Sequence, residues 1–441
     1  MPPTLSTAEA RILALMERHP PGFDLGLERM ERLLAALNDP HKRLPPVIHV
    51  AGTNGKGSTV AFCRAIAESA GLRVHVDTSP HLVRWHERFR IAGTLVDDDV
   101  LGDALERVDA ANGEEPITVF ELLTVVAFLL FAEHPADLCL IEVGLGGRLD
   151  CTNVIEDSAV SVITPVSKDH EAFLGDTLTK IAFEKAGIIK RRGQVVIAPQ
   201  EPSALATIEQ QAARQGASVV RAGEHYFAQV EAGRLLVETD DQLYDLPLPR
   251  LAGPHQIENA ATAVMAMRTF ARVTGTSIPH VAMEAGLRTA DWPARMQPLS
   301  RGALLALLPE GSDLWLDGGH NPAAARRACE FLADLEEREP KPLVLIAGML
   351  NTKDTTRYFE PFADLVRRVI TVPVPSSDAG VPPDDLVETA KAAGLDAMTA
   401  DDVPTALMLI ARSENAPVRV LICGSLYLAG TVLALNGTPP T

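Results

Sequence analysis

Apolar runs that break off at a glycine or a polar residue recur along the chain, and stretches with apolar residues at helical spacing follow them. The runs "PPVIHV" (45–50), "LRVHVDTS" (72–79), "LCLIEVG" (138–144), "AVSVITPV" (159–166) and "QVVIAPQ" (194–200) read as buried strands. After the first, "TVAFCRAIAESAG" reads as a helix that stops at Gly71. The segment "DTLTKIAFEKAGIIK" predicts another, capped by Asp176 and ending at Gly187. Such alternation predicts an α/β fold: a mostly parallel sheet with helices on both faces. A more irregular β-like stretch, "HYFAQVEAGRLLVET", comes next, and the alanine-rich "LAGPHQIENAATAVMAMRTFARVTG" reads as a helix.

Near "DWPARMQPLSRG" the pattern resets. A second βα series runs through "LWLDGGHNPAAARRACEFLADL", "LVLIAGML", "RVITVPV" and "VRVLICGSLYLAGTVLAL". The expected boundary lies at about residue 297, giving domains 1–297 and 298–441, with a ligand site expected in the cleft between two such domains. The 441 residues fit about two or three domains by length.

Charge narrows the function classes. Lys plus Arg number 40 against 58 Asp plus Glu, a net charge of −18 that repels nucleic acid and demands locally focused positive groups for any small anionic ligand. The five cysteines, Cys63, Cys139, Cys151, Cys329 and Cys423, are scattered without a C-x-x-C pair, which argues against a disulfide framework or a zinc site. No apolar run is long enough to span a membrane, and "MPPTLSTAEARILALMERHP" lacks the order of a signal peptide, so the expected setting is cytoplasmic.

The chemistry concentrates at strand ends. "HVAGTNGKGST" (49–59) puts Gly52, Gly55 and Gly57 between a strand and a helix, where inward N–H groups and the helix N-terminus make an anion site. It departs from the usual phosphate-loop pattern, with Val50 at the first glycine position and Gly57 after the lysine. Lys56 supplies charge for the β/γ phosphates, and Ser58 or Thr59 a hydroxyl for Mg²⁺. Glu142 ends the apolar "LCLIEVG", at the edge where parallel sheets bind ligands. Ser79 and His170 also follow strands in the same domain, so the three groups can converge on a metal. The run "VDTSPHLVRWHERFRI" carries a positive cluster of His81, Arg84, Arg88 and Arg90, and Lys185 falls in the last turn of a predicted helix among apolar residues.

Taken in order over nearly the whole chain, "LGLERM", "HVAGTNGKGST", "TSPHL", "VFE", "EVGLGGRLDCTN", "KDH", "EKAGI", "GPHQIENA", "DGGHNP" and "GSLYLAG" resemble the folylpolyglutamate synthase and dihydrofolate synthase branch of the Mur ligase superfamily. This branch uses a loop with glycine after the lysine. The resemblance implies an N-terminal P-loop-type Mur ligase central domain and a smaller C-terminal Rossmann-like α/β domain. It implies a cytoplasmic, monomeric ATP-dependent ligase that adds L-glutamate to dihydropteroate and to reduced folates through an acyl phosphate. A synthase restricted to polyglutamylation, or another Mur-type peptide ligase, stays open as an alternative.

By the same resemblance Asn54, Gly55, Lys56 and Gly57 form the triphosphate cradle, with Ser58 near the metal. Ser79, Glu142 and His170 are implied as ligands of two Mg²⁺ ions, and Lys185 as a carbamylated lysine that helps hold the second. Lys56, His170 and Lys185 are the expected catalytic groups. Asn259, Arg295, Asp317 and His320 are implied ATP contacts. Asp24, Leu25, Thr118, Phe120, Glu121, Leu149, Asp150 and Cys151 match the dihydropteroate-accepting pattern. Phe120 is expected to stack on the pterin, and Glu121 or Asp150 to accept from its N–H groups. The chain departs from the family at Ala294, where glycine is usual, Gly319, where alanine is, Gln297 for glutamate, Cys151 for alanine, and in "GMLNTKD".

Overall fold

The computed structural model describes residues 6–19, 26–375, 377–414 and 416–441. Two compact units emerge: the first comprises the chain up to Arg250 together with Ile257–Ala290, and the second Leu251–Gln256 with the chain from Asp291 onward. The first contains an eight-stranded sheet built from β1 (Val47–Ala51), β2 (Val74–Asp77), β3 (Phe89–Ile91), β4 (Thr94–Leu95), β5 (Leu138–Glu142), β6 (Val160–Ile163), β7 (Gln194–Ile197) and β8 (Ser218–Arg221). Its order is β4-β3-β2-β5-β1-β6-β7-β8. Six of the strands run parallel, and β3 and β4 add an antiparallel ribbon at one edge. Every residue of β1, β2, β5 and β6 is buried, which explains why these strands read as continuous apolar runs rather than as alternating ones.

The register fixes where chemistry can occur. Val50 pairs with Glu142, Ala51 with Ile163 and Asp77 with Ile141, so β2, β5, β1 and β6 deliver their carboxyl ends side by side. A three-stranded antiparallel sheet follows, β9 (Tyr226–Glu231), β10 (Arg234–Thr239) and β11 (Leu243–Pro247), ahead of the long helix Pro254–Thr274.

In the second unit β12 (Gln297–Pro298), β13 (Asp313–Leu316), β14 (Leu343–Ala347), β15 (Arg368–Thr371), β16 (Ala397–Thr399) and β17 (Arg419–Cys423) form a sheet of order β12-β13-β17-β14-β15-β16. Only β12 is antiparallel. Against the boundary expected at about 297, the segment 291–297 already packs with this unit. Met296 lies in its core, and Ala294 O accepts from Gly318 N at 2.8 Å.

Local signals differ from the sequence expectation in two places. Thr177, not Asp176, caps the helix Leu178–Ala186: its hydroxyl accepts from Lys180 N, while Asp176 pairs with the Lys180 ammonium at 2.8 Å. The first unit also holds helices the pattern did not reveal, Thr7–Arg18, Glu28–Ala36, Asp98–Asn112 and Val119–Glu133, which share one core with Phe89, Cys139 and Ile141. Among the described residues no helix is long and apolar enough to cross a membrane.

Candidate active site

The phosphate-type loop joins β1 to the helix Lys56–Ser69, and its backbone is tied to the segment beyond β6. Thr53 N and Asn54 N both donate to Pro165 O, and Asn54 Nδ2 donates to Ser167 Oγ at 3.1 Å. Gly55 is the turn on which the loop depends. It caps the helix at φ +86°, a conformation that L side chains avoid, and a Cβ there would collide with Asn259 Oδ1. Asn259, 200 residues downstream of the loop in sequence, therefore stands against it from the helix Pro254–Thr274.

Two lysines meet at this loop. Lys56 Nζ donates to Gly52 O at 3.2 Å and Thr53 O at 3.4 Å, and lies 4.0 Å from Glu142 Oε1. Lys185 Nζ, buried, donates to the same Gly52 carbonyl at 2.8 Å. Burial brings the Lys185 ammonium down to about 7, and the neighbouring charge of Lys56 works in the same direction. Both effects favour the uncharged amine.

The glycine-rich segment after β5 positions Lys185. Arg148 N donates to Glu184 O at 2.7 Å, and the Arg148 guanidinium pairs with Glu184. A Cβ on Gly147 would fall 2.8 Å from Glu184 O and 2.9 Å from Lys185 O, and one on Gly187 would collide with Arg148. Two backbones thus touch without side chains between them, the physical reason for glycine in both "GLGGR" and "EKAGI". Gly187→Ala is expected to cost about 1–3 kcal/mol by overpacking. Differential scanning calorimetry should show a fall in Tm of about 2–4 °C per kcal/mol; an unchanged Tm would contradict the close approach.

Ser79, Glu142 and His170 lie at or after the carboxyl ends of β2, β5 and β6, with β1 between the last two. Ser79 follows β2 by two residues, Glu142 ends β5, and His170 heads the short helix Glu171–Leu174 at φ +52°. Ser58 lies buried in the first turn of the helix after the loop. Among the described residues no group of three or more His, Cys, Asp or Glu side chains gathers as a metal cluster. Only Glu142 and His170 of the expected ligand set belong to those types; hydroxyls and a modified lysine would complete it. The setting suits a hard cation nonetheless. Asp77, one strand over, is pushed up to about 8 by burial, and the acids Asp150 and Glu142 add to that rise against the pull of Arg88. Oxygen donors with one imidazole, Glu142 buried and His170 exposed, are a donor set of the kind that suits Mg²⁺ or a similar divalent ion.

The acceptor-side residues divide by what their polar atoms already hold. Asp24 and Leu25 lie outside the described residues. Thr118 caps the helix Val119–Glu133 in a reciprocal box with Glu121. The Glu121 carboxylate also takes a forked contact from Arg29, at 3.0–3.2 Å, so it anchors the helix rather than waiting for a ligand. Asp150 is likewise occupied: Oδ1 accepts from Thr152 N at 3.0 Å and Thr152 Oγ1 at 2.5 Å, and Oδ2 from Leu145 N at 2.8 Å. Both carboxylates, expected to accept from the pterin N–H groups, thus already hold backbone and side-chain donors of the protein itself. Phe120 is half-buried against Gly144, where a Cβ would strike its ring. Leu149 is half-buried, and Cys151 is buried with its thiol 3.1 Å from Thr124 Oγ1.

In the second unit Asp317 organises a tight loop. Its carboxylate accepts from Met296 N at 2.8 Å and Gly319 N at 2.7 Å, and burial raises its pKa against the opposing charge of Arg295. His320 Nδ1 lies 3.0 Å from Gly318 O. Three departures from the family pattern fall here, and only that at Gly319 acquires a reason. Gln297 Oε1 accepts from Ala294 N at 2.9 Å, a contact that a glutamate oxygen makes equally well. A Cβ on Gly319 would fall 2.5 Å from Asp317 Oδ1 and 2.9 Å from Ala324 Cβ, so glycine suits this loop. Ala294 sits at φ +57°, where glycine would be unstrained.

A lysine-bearing loop at a helix mouth, a carboxylate on the neighbouring strand and a second α/β unit are the parts of an ATP-dependent ligase. Residues 50–267 match the Mur ligase middle domain and residues 303–426 the Mur ligase glutamate ligase domain, which sets the class. The dihydrofolate synthase/folylpolyglutamate synthase of Escherichia coli is 32% identical over 436 residues, covering 98% of this chain and 96% of that protein. The structure of E. coli FolC in complex with DHPP and ADP superposes with a TM-score of 0.87 at 30% identity, covering 98% and 99% of the two chains. A bifunctional folylpolyglutamate synthase/dihydrofolate synthase with Mn, AMPPNP and L-glutamate bound gives a TM-score of 0.84 at 30% identity, covering 98% of both. The chain belongs to the dihydrofolate synthase/folylpolyglutamate synthase family of Mur ligases.

Proposed function

We propose that the chain joins L-glutamate by an amide bond to dihydropteroate and to reduced folates, at one site and at the expense of ATP. The observation that carries this reading is the pairing of Lys56 and Lys185 on the Gly52 carbonyl, beside Glu142 at the end of β5. The nucleotide, metal ion and L-glutamate held by relatives of this fold support it.

In this reading Asn54, Gly55, Lys56 and Gly57 cradle the triphosphate, and Asn259 faces the loop. Arg295, Asp317 and His320 are the nucleotide contacts assigned to the second unit. Ser58, Ser79, Glu142 and His170, with a carbamate on Lys185, would hold two Mg²⁺ ions. Such ions supply charge neutralisation and Lewis acidity at the transferring phosphoryl group.

A carboxylate is a poor electrophile, so one of its oxygens first takes the γ-phosphoryl, the bond from phosphorus to the β-phosphate oxygen breaks, and ADP leaves. The glutamate amine then attacks the acyl carbon. The tetrahedral intermediate loses the amine proton and expels phosphate, leaving the amide. Negative charge grows in both steps, and the fixed ammonium of Lys56 and the loop N–H groups meet it without reorganising. Lys185 contributes differently. Its amine, with a pKa lowered by burial to about 7, would in its neutral form add to CO₂ and release one proton, giving a carbamate anion whose two oxygens would serve a hard metal ion.

The two acceptors differ by a glutamyl unit, so their pterins must lie differently when either carboxylate reaches the same γ-phosphate. Phe120 offers the stacking face for the shorter one. Phe120→Ala is therefore expected to lower kcat/KM for dihydropteroate about tenfold, the equivalent of about 1.4 kcal/mol, with a smaller effect on tetrahydrofolate and none on the KM for ATP. Acceptor-dependent phosphate release measures this; equal losses for both acceptors would remove Phe120 from the discriminating pocket.

A further inference from the structure

Two motif residues, His49 and Thr152, hold polar side chains at the centre of the first unit that phosphoryl transfer does not use. His49 lies in β1, three residues before the glycine that opens the phosphate loop, and Thr152 follows β5 by ten residues in the short turn Cys151–Val154. Both have no solvent exposure. His49 Nε2 and Thr152 Oγ1 are 2.9 Å apart, and Thr152 Oγ1 donates to Asp150 Oδ1 at 2.5 Å. A hydroxyl has one proton. Since Thr152 spends it on Asp150, its lone pair must accept from His49, which fixes the imidazole with hydrogen on Nε2. Burial holds His49 neutral, its pKa well below the ordinary value and lowered further by Lys190.

The chain of contacts continues outward. Asp150 Oδ2 accepts from Leu145 N, so the carboxylate that Thr152 orients ties down the first turn of the segment Gly144–Asp150. That segment carries Gly144, on which Phe120 packs, and Gly147, which touches the backbone of Lys185. One hydroxyl therefore joins the strand leading into the phosphate loop to the segment on which Phe120 packs.

We propose that Thr152 is a positioning residue for the acceptor: held by His49, it fixes Asp150 and through it the loop that shapes the pocket around Phe120. This deepens the function proposed above and rests on it. A residue that only stabilised the fold would change the melting temperature and leave the balance between the two substrates alone. A positioning residue shifts the KM for the acceptor and spares that for ATP.

Thr152→Val keeps the shape and removes the hydroxyl, stranding the His49 N–H and one Asp150 lone pair. Thr152→Ser keeps the hydroxyl and gives up a methyl group. With the full-length protein, dihydropteroate-dependent phosphate release at saturating ATP and L-glutamate should show the KM for dihydropteroate raised about tenfold in Thr152→Val. It should stay within about twofold of wild type in Thr152→Ser, with the KM for ATP unchanged in both. If Thr152→Val does not fold, Thr152→Ser and His49→Gln, which retains a donor, carry the test through the same ratio of KM values. Equal shifts for ATP and acceptor, or a Thr152→Val enzyme with normal acceptor KM, overturn the proposal while the ligase reading stands. A wild-type protein without acceptor-dependent phosphate release overturns both.

Discussion

Lys56→Ala is expected to abolish turnover, lowering kcat by about 10²–10³-fold or more, in a protein that still folds. Lys56 opens the helix after the phosphate loop, and its ammonium rests on two loop carbonyls, Gly52 O and Thr53 O, with Glu142 4.0 Å away. These contacts leave the head group in the mouth of the helix, where the proposed function has it meet the triphosphate. Truncation removes the one side-chain cation of the loop 52–56, while Val60, Phe62 and Ile66 behind it, fully buried, keep the helix packed. Circular dichroism and the melting temperature should stay near wild type while ATP cleavage disappears. Near-normal turnover in a folded variant would take the phosphates away from this loop.

Lys185→Ala should fall about 10²-fold or more in kcat, and short carboxylic acids such as acetate or formate should restore part of the loss. The buried side chain reaches 133 residues back along the sequence to the Gly52 carbonyl, and alanine leaves a gap there. A small carboxylate entering the gap would replace the oxygens of a carbamate, whereas it could not replace an ammonium. Rescue by acetate and none by methylammonium is the expected pattern. Rescue by the amine alone would make Lys185 a cation in the working enzyme. A wild-type enzyme whose activity is insensitive to exhaustive removal of CO₂ and bicarbonate, with no carbamate signal in ¹³C NMR, would contradict the modification itself.

Much of this site is legible in the sequence because its parts sit at strand ends. Strands buried on both faces leave unmistakable apolar runs, and the residue that ends each one, Glu142 after "LCLI" for example, lands on the ligand-binding edge. The helix Val119–Glu133 escaped for the converse reason. It is buried nearly all round, so "VFELLTVVAFLLFAE" carries no helical stripe to detect. Thr7–Arg18, by contrast, had a readable signal: Ser6 and Glu9 form a capping box.

What a side chain already holds is not written in its identity. Glu121 and Asp150 sit in the expected motifs, yet Arg29, Thr118, Thr152 and Leu145 use their oxygens, and those partners become visible only when the chain folds. Long-range pairings such as Lys185 with Gly52, Asn259 with Gly55 and His49 with Thr152 have no local signature, since each joins segments separated by at least 103 residues.

The central claim, that this chain activates a pterin carboxylate with ATP for attack by L-glutamate, is tested most directly by phosphate release. ATP and Mg²⁺ are supplied with dihydropteroate or with tetrahydrofolate, each with and without L-glutamate. The account predicts sustained release only when acceptor and L-glutamate are both present, for either acceptor, and products one glutamyl unit heavier by mass spectrometry. Release with tetrahydrofolate alone would leave polyglutamylation and remove the dihydrofolate-forming half. Release that is independent of both acceptors, or a product without added glutamate, would contradict the account.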